Sequence, residues 1–310
     1  MSTFVYYNYQ FSKIARQPVQ GNLFENTQHS VDPEESFAHK QEILSEILSA
    51  DYHEKRRIVF KNPKGDKIHL HHYLAPFTSD MAVMKISNRR VRTAETINFE
   101  EELREEYPAC IVVIDNRPGI QRIVVEKRDQ AFSNVKQVQK VLQSTLRHLL
   151  RPYGLSISID QLHTRTAFWK VANDVRQYPL GFRRIRFHLP HLNLERLKKV
   201  MGRYLVEARE SFDSDLSWIL NAEEGGKLNL DENDQRQSAL INVLMEDVGG
   251  DSVITLHPNG KGQKPVFVGR DNYRLGEMEE STFDKLEEGA LIEREKAMNE
   301  IKMFTKRFIE

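Results

Sequence analysis

From Ser133 onward the apolar residues of this chain take up a helical period, whereas before it they fall in short strand-like runs broken by turn chemistry. That change constrains the fold more than any other feature. Phe4-Val5-Tyr6-Tyr7-Asn8-Tyr9-Gln10-Phe11 reads as an aromatic first strand. Asp32-Pro33-Glu34-Glu35 is a helix start, with an acceptor at the cap and proline at the first helical position. Phe37, Leu44, Ile47 and Leu48 give that helix, about 33–49, an apolar face. Arg57–Lys61 and Ile68–Leu74 flank the turn residues Pro63-Lys64-Gly65-Asp66, and Met81–Ile86 continues the strands. A short acidic helix is expected around Phe99–Glu106. Cys110–Asp115 and Gln121–Glu126 then form a hairpin across Arg117-Pro118-Gly119.

After Ser133 the stripe Val135, Val138, Val141, Leu142, Leu146, Leu149 and Leu150 predicts a helix stopped by Arg151-Pro152-Tyr153-Gly154. Leu155–Ile159 alternates as a strand, and a second helix is expected over about 165–178. Phe182–Leu189 is a strand, and Asn193 caps a third helix through Leu194–Ala208. A helix over Asp234–Asp247 and a hairpin of Ser252–His257 with Pro265–Gly269 follow. Ser281-Thr282-Phe283-Asp284 opens one long terminal helix striped by Leu286, Ala290, Ile301, Phe304 and Phe308. The fold class is therefore α+β. Residues 1–130 form a mostly antiparallel sheet domain with covering helices. Residues 131–310 form a helix-rich part with short hairpins and the long terminal helix.

Charge is unevenly placed on this frame. The 310 residues sum to zero, yet residues 117–209 carry 19 Lys+Arg against 6 Asp+Glu, a net of +13. Such a block sets up a local field that polyanions reward, nucleic acid first, because each neutralised phosphate releases counterions. Within it Arg183, Arg184 and Arg186 sit among Phe182, Ile185 and Phe187, and the helix after them adds Arg196, Lys198, Lys199 and Arg203. Lys136 with Lys140, and Arg147 with Arg151, are spaced four apart and share a helix face. Stacked like charges are mildly destabilising without an anion between them. The expected interface is thus Arg147, Arg151, Arg183, Arg184, Arg186, Arg196, Lys198, Lys199 and Arg203, with DNA preferred to RNA. A scaffold docking on an acidic partner is the alternative from a different class.

Catalytic patterns are weaker. His69, His71 and His72 could begin a metal site, but no further ligand follows at a recognisable spacing, so they read as sheet-surface histidines. Asp213, Asp215, Glu223 and Glu224 read as acidic loop chemistry. Asp115 followed by Glu126-Lys127 has the order of a metal-dependent nuclease, kept as a further alternative. Adjacent strand residues face opposite sides, however, so that Glu–Lys pair cannot meet one metal-bound phosphate. Gly260-Lys261-Gly262-Gln263-Lys264 lacks phosphate-loop spacing and reads as a hairpin tip. No metal, no cofactor and no catalysis by the chain itself are expected. The single cysteine, Cys110, lies in an apolar run, and Met1–Gln10 lacks the basic start of a signal peptide. With no apolar run near the ~20 residues of a spanning helix, the expectation is a cytoplasmic protein without membrane insertion.

The order of elements over Phe4–Phe11, Ile68–Glu126 and Thr255–Phe308 resembles that of RexA-like phage exclusion proteins and, more loosely, KwaB-like antiphage proteins. The resemblance implies a dimeric, non-enzymatic DNA-binding sensor or effector of phage defence, with a possible partner protein of the same system. It carries over no individual residue. The terminal-helix stripe independently raises the expectation of a homodimer, through pairing with its symmetry mate.

Overall fold

The first strand sets the architecture. β1 (Ser2–Lys13) is buried along nearly its whole length, so its aromatic run is enclosed on both faces. The computed structural model describes residues 1–14, 32–53, 58–75, 78, 80–95, 97, 99, 101–164, 166–189, 216–245, 254–268 and 273–307. After β1 come α1 (Pro33–Ala38), α2 (Lys40–His53), β2 (Phe60–Lys61), β3 (Ile68–His69), β4 (His71–Tyr73) and β5 (Met81–Ser87). β6 (Arg90–Glu95), β7 (Glu101–Glu106), β8 (Ala109–Asp115), β9 (Arg122–Glu126), α3 (Val135–Leu150) and β10 (Leu155–Gln161) follow. The chain continues through α4 (Thr166–Ala172), β11 (Phe182–Leu189), β12 (Leu216–Asn221), α5 (Gln235–Val243), β13 (Ile254–Pro258) and β14 (Val266–Phe267). It closes with β15 (Leu275–Met278), α6 (Glu280–Glu288) and α7 (Leu291–Lys306). The class is α+β. No helix among the described residues is long and apolar enough to cross a membrane.

Two compact units result: Met1–Val5, Tyr9–Ile159 and Gly276–Glu310 form the first, and Tyr6–Asn8 with Asp160–Leu275 the second. The division thus falls near residue 160 and not at the 130–131 boundary drawn from the change of period. The cause is packing. The first unit is built on a seven-stranded sheet ordered β10-β1-β9-β8-β5-β4, with β15 also on β1. α3 buries Val138, Val141, Leu142, Leu146 and Leu150 and belongs to this unit. Its Asn134 cap accepts the Lys136 amide at 2.8 Å, and Gly154 leaves the following turn at φ 67°, as the sequence led one to expect. The terminal helices return to the same core: Phe283 and Phe304 lie 5.4 and 5.6 Å from the Phe4 ring.

Two further expectations fail on physical grounds. Residues 101–106 form β7, a strand and not an acidic helix, pairing with β6 over six rungs from Arg90↔Glu106 to Glu95↔Glu101. The six-rung ladder with β6, helped by the diagonal pair of Arg92 and Glu106 at 3.3 Å, decides against the helical propensity of Glu and Leu. The long terminal helix is two helices. Gly289 breaks it in extended conformation, and the Glu293 carboxylate restarts it by accepting the Ala290 amide at 3.0 Å. Ala290 is exposed and Phe308 lies outside the described residues, but Leu286, Ile301 and Phe304 are buried within this chain. Their stripe therefore closes the core and gives no reason for pairing with a second copy.

The second unit carries a four-stranded sheet ordered β12-β11-β13-β14. One face is covered by α4 and α5, where Phe168, Trp169, Ile241 and Leu244 pack with Ile185, Phe187, Ile254 and Leu256. α4 is shorter than the expected 165–178 and gives way to turns after Ala172. The helix capped by Asn193 falls outside the described residues.

Candidate nucleic-acid interface

β11 reads Phe-Arg-Arg-Ile-Arg-Phe-His-Leu, which no strict two-residue alternation can satisfy. The chain resolves this with a β-bulge. Phe182 faces Pro258 and Arg184 faces His257, so two steps along β11 match one along β13. Phe182, Ile185 and Phe187 all reach the core, while Arg183, Arg184 and Arg186 all stand in solvent.

Register assigns the rest of the outer face. Arg184 lies opposite Asn221 on one side and His257 on the other; Arg186 lies opposite Ile219 and Thr255. Thr255 in turn lies opposite Phe267, a residue 48% exposed on the edge strand. Directly opposed residues share a face, so Ile219, Arg186, Thr255 and Phe267 form a row across all four strands. Arg184 Nε donates to Asn221 Oδ1 at 2.6 Å, and Arg186 Nη2 donates to Ser217 Oγ at 3.2 Å. His188 Nδ1 is also 3.2 Å from Ser217 Oγ. These neutral partners orient the guanidiniums without cancelling their charge. None of the four strands contains Asp or Glu, and among the described residues no carboxylate lies within ion-pair distance of Arg183, Arg184 or Arg186. Partial burial and the charges of Arg184, Arg183 and Arg186 hold His257 below the ordinary histidine range. Exposed arginines with no carboxylate partner among the described residues can bind phosphate oxygens. On these strands the Ser217 hydroxyl and the His188 ring lie 3.2 Å apart, with no Asp or Glu on the same strands to orient the imidazole.

The sequence-based interface is only partly assembled here. Arg183, Arg184 and Arg186 share this sheet. Arg147 and Arg151 belong to the first unit. There Arg147 Nε donates to the Ile157 carbonyl at 2.7 Å, which ties α3 to β10, and Arg151 opens the exposed turn after the helix. Arg196, Lys198, Lys199 and Arg203 lie outside the described residues. His257 and Phe267 were missed. The signal for Phe267 was present, since Val268 is buried and alternation turns its neighbour outward.

The other polar clusters are structural. His69 is buried and the His71 side chain is largely covered, so neither is a sheet-surface histidine: His69 Nδ1 meets the Ser87 carbonyl at 3.0 Å, and His71 Nε2 meets Asp51 Oδ2 at 2.6 Å. Asp51 also takes the Tyr73 hydroxyl and the Ile58 amide; despite burial, these bonds hold its carboxyl below the usual range. His72 is exposed beside Glu287. Asp115, fully buried, accepts three bonds from Arg117, one of them from its backbone amide, and one from Thr305. Glu126 accepts Ser2 Oγ at 2.8 Å and the Ile111 amide at 3.0 Å. Register puts Asp115 opposite Arg122, four residues from Glu126, so the two carboxylates do not converge. Burial and the nearby Glu126 charge push the Cys110 thiol up to about 12, which leaves it unreactive. No group of three metal-ligating side chains occurs among the described residues. No family model, curated protein or solved structure matches the chain.

Proposed function

We propose that this chain binds nucleic acid without base-sequence preference through the outer face of its four-stranded sheet, and that it performs no chemistry on it. One observation carries the reading: a bulged strand presents three arginines, two of them oriented by neutral side chains, with no ion-paired carboxylate among the described residues. Phosphate contacts of this kind fix a ligand without reading bases. DNA is the form to test first. The phage-defence setting rests on the resemblance in element order, in which the acidic helix is here a strand. A homodimer, also part of the proposal, has to use a surface other than the Leu286–Phe304 stripe.

Salt-titrated binding to a duplex tests the reading. Three phosphate contacts give a slope of about −2.7 in log affinity against log salt, roughly a 40-fold loss between 50 and 200 mM. The variant Arg183→Glu/Arg184→Glu/Arg186→Glu should abolish binding while keeping the wild-type unfolding midpoint. Unchanged affinity in that variant removes the interface, and a flat salt response favours the acidic-partner scaffold.

A further inference from the structure

The exposed aromatic ring at the end of the basic row identifies the form of the ligand. Phe267 sits on the edge strand, where a cleft of about 360 Å³ is lined by Gln177, Tyr178, Gln263, Lys264 and the Pro265–Phe267 edge. The hairpin leading into the cleft, Pro258 to Pro265, carries Lys261 and Lys264 and no acidic residue. Gly260 and Gly262 take φ 113° and 81°, which only glycine tolerates without strain, so the tip has a defined turn. Asp174, near Tyr178, accepts the Gln177 backbone N–H on Oδ1 at 3.0 Å and keeps its charge, so the phosphates have to lie on the Lys264 side.

Resting on the nucleic-acid reading above, we propose that the ligand is single-stranded and that one unstacked base lies on Phe267 in this cleft. A base inside a duplex has both faces covered by its neighbours, so an open aromatic ring gains nothing from it. An unpaired base offers a free π-face to the ring and free edge groups to the amides of Gln177 and Gln263. Such stacking tolerates any base. Phe267 and Arg186 are two strands apart, on the order of 10 Å between backbones. An extended arginine from one side and Lys264 from the other can therefore take the phosphates that flank the stacked base. The ring holds the base and the row holds the backbone.

Fluorescence anisotropy separates the two contributions. The probes are labelled twelve-residue oligothymidylate, oligouridylate, a twelve-base-pair duplex, and a strand in which the central nucleotides are abasic. Phe267→Ala should weaken oligothymidylate and oligouridylate binding roughly 5- to 150-fold. The salt slope should not change, because no charge is lost, and duplex binding should not change either. Phe267→Trp should restore affinity, and its emission should be quenched by the strand. The abasic strand should bind wild type and Phe267→Ala equally. Wild type that binds the abasic strand as tightly as oligothymidylate, or a folded Phe267→Ala within two-fold of wild type, overturns the inference. If duplex binding then still depends on the three arginines, only the single-strand claim falls. If no probe binds, the nucleic-acid reading falls with it. The abasic comparison and Phe267→Trp decide the matter even if Phe267→Ala folds poorly.

Discussion

Arg184 and His257 face each other across neighbouring antiparallel strands, and the imidazole titrates below its ordinary range because of partial burial and the arginine charges. In the free protein His257 is therefore neutral at pH 7. A polyanion on this face offsets the arginine field and raises the histidine pKa, so binding takes up a fraction of a proton. Affinity should accordingly increase as pH falls from 7 towards 6. Calorimetry at pH 6.5 in two buffers of different ionisation enthalpy measures the uptake directly. His257→Gln should abolish it, and buffer-independent heats for wild type would place the polyanion elsewhere.

Arg147 and Arg151 share a helix face by spacing, but their roles differ. The Arg147 bond to the Ile157 carbonyl joins helix to sheet, and Arg147→Ala should cost about 1 kcal/mol of stability. Arg151→Ala, on the exposed turn, should stay within about 0.5 kcal/mol of wild type. Urea unfolding of the two variants checks this. Equal midpoints would return Arg147 to the set of purely surface charges.

Asp115 and Arg117 form an ion pair whose carboxylate is fully buried, closed by the Thr305 hydroxyl at 2.5 Å from the carboxylate. Arg117 Nη2 also donates to the Lys302 carbonyl at 2.8 Å, so the pair locks α7 onto the sheet. Arg117→Ala leaves a buried carboxylate with its main partner gone and should cost about 3–5 kcal/mol. Replacing both residues by apolar ones should cost far less, because no charge is then stranded. A double-mutant cycle in urea measures the difference. Strict additivity would show that the pair is not coupled.

The legible parts of this fold are those whose local signals agree with their packing. α3 has its Asn134 cap, a continuous stripe and a Gly154 stop, and it lies where its residues placed it. The hairpin of β8 and β9 is equally well marked by its apolar strands and Arg117-Pro118-Gly119. Glu101–Glu106 misled because its residues favour helix while its conformation is decided by β6, which has no strong pattern of its own. The basic strand was visible as chemistry, and Phe182 stands out of phase with Ile185 and Phe187, a break in alternation that marks a bulge only once the strand is paired with β13. Arg147 was grouped with the interface because spacing reports a shared face and not a hydrogen-bond partner. Unit membership was the least legible feature: Phe4 meets Phe283 and Phe304 across most of the sequence, and no local pattern encodes that closure.

Phe304 decides between the two uses of the terminal helix. Its ring is 4% exposed and stands edge-on to Phe4 at 5.6 Å, with Ile301 fully buried one turn earlier. Phe304→Glu removes that packing and places a carboxylate among apolar side chains, a loss of about 3–5 kcal/mol before any charge penalty. The expected outcome is a large drop in unfolding midpoint at every protein concentration. Gly289→Ala is the companion test, because a Cβ at that position would run into the Lys285 carbonyl. The helix break would have to shift, at about 1–3 kcal/mol. Light scattering beside the urea curves separates the possibilities. A Phe304→Glu protein that stays as stable as wild type but halves its mass would show that α7 is a subunit contact after all, and that its burial against Phe4 contributes little.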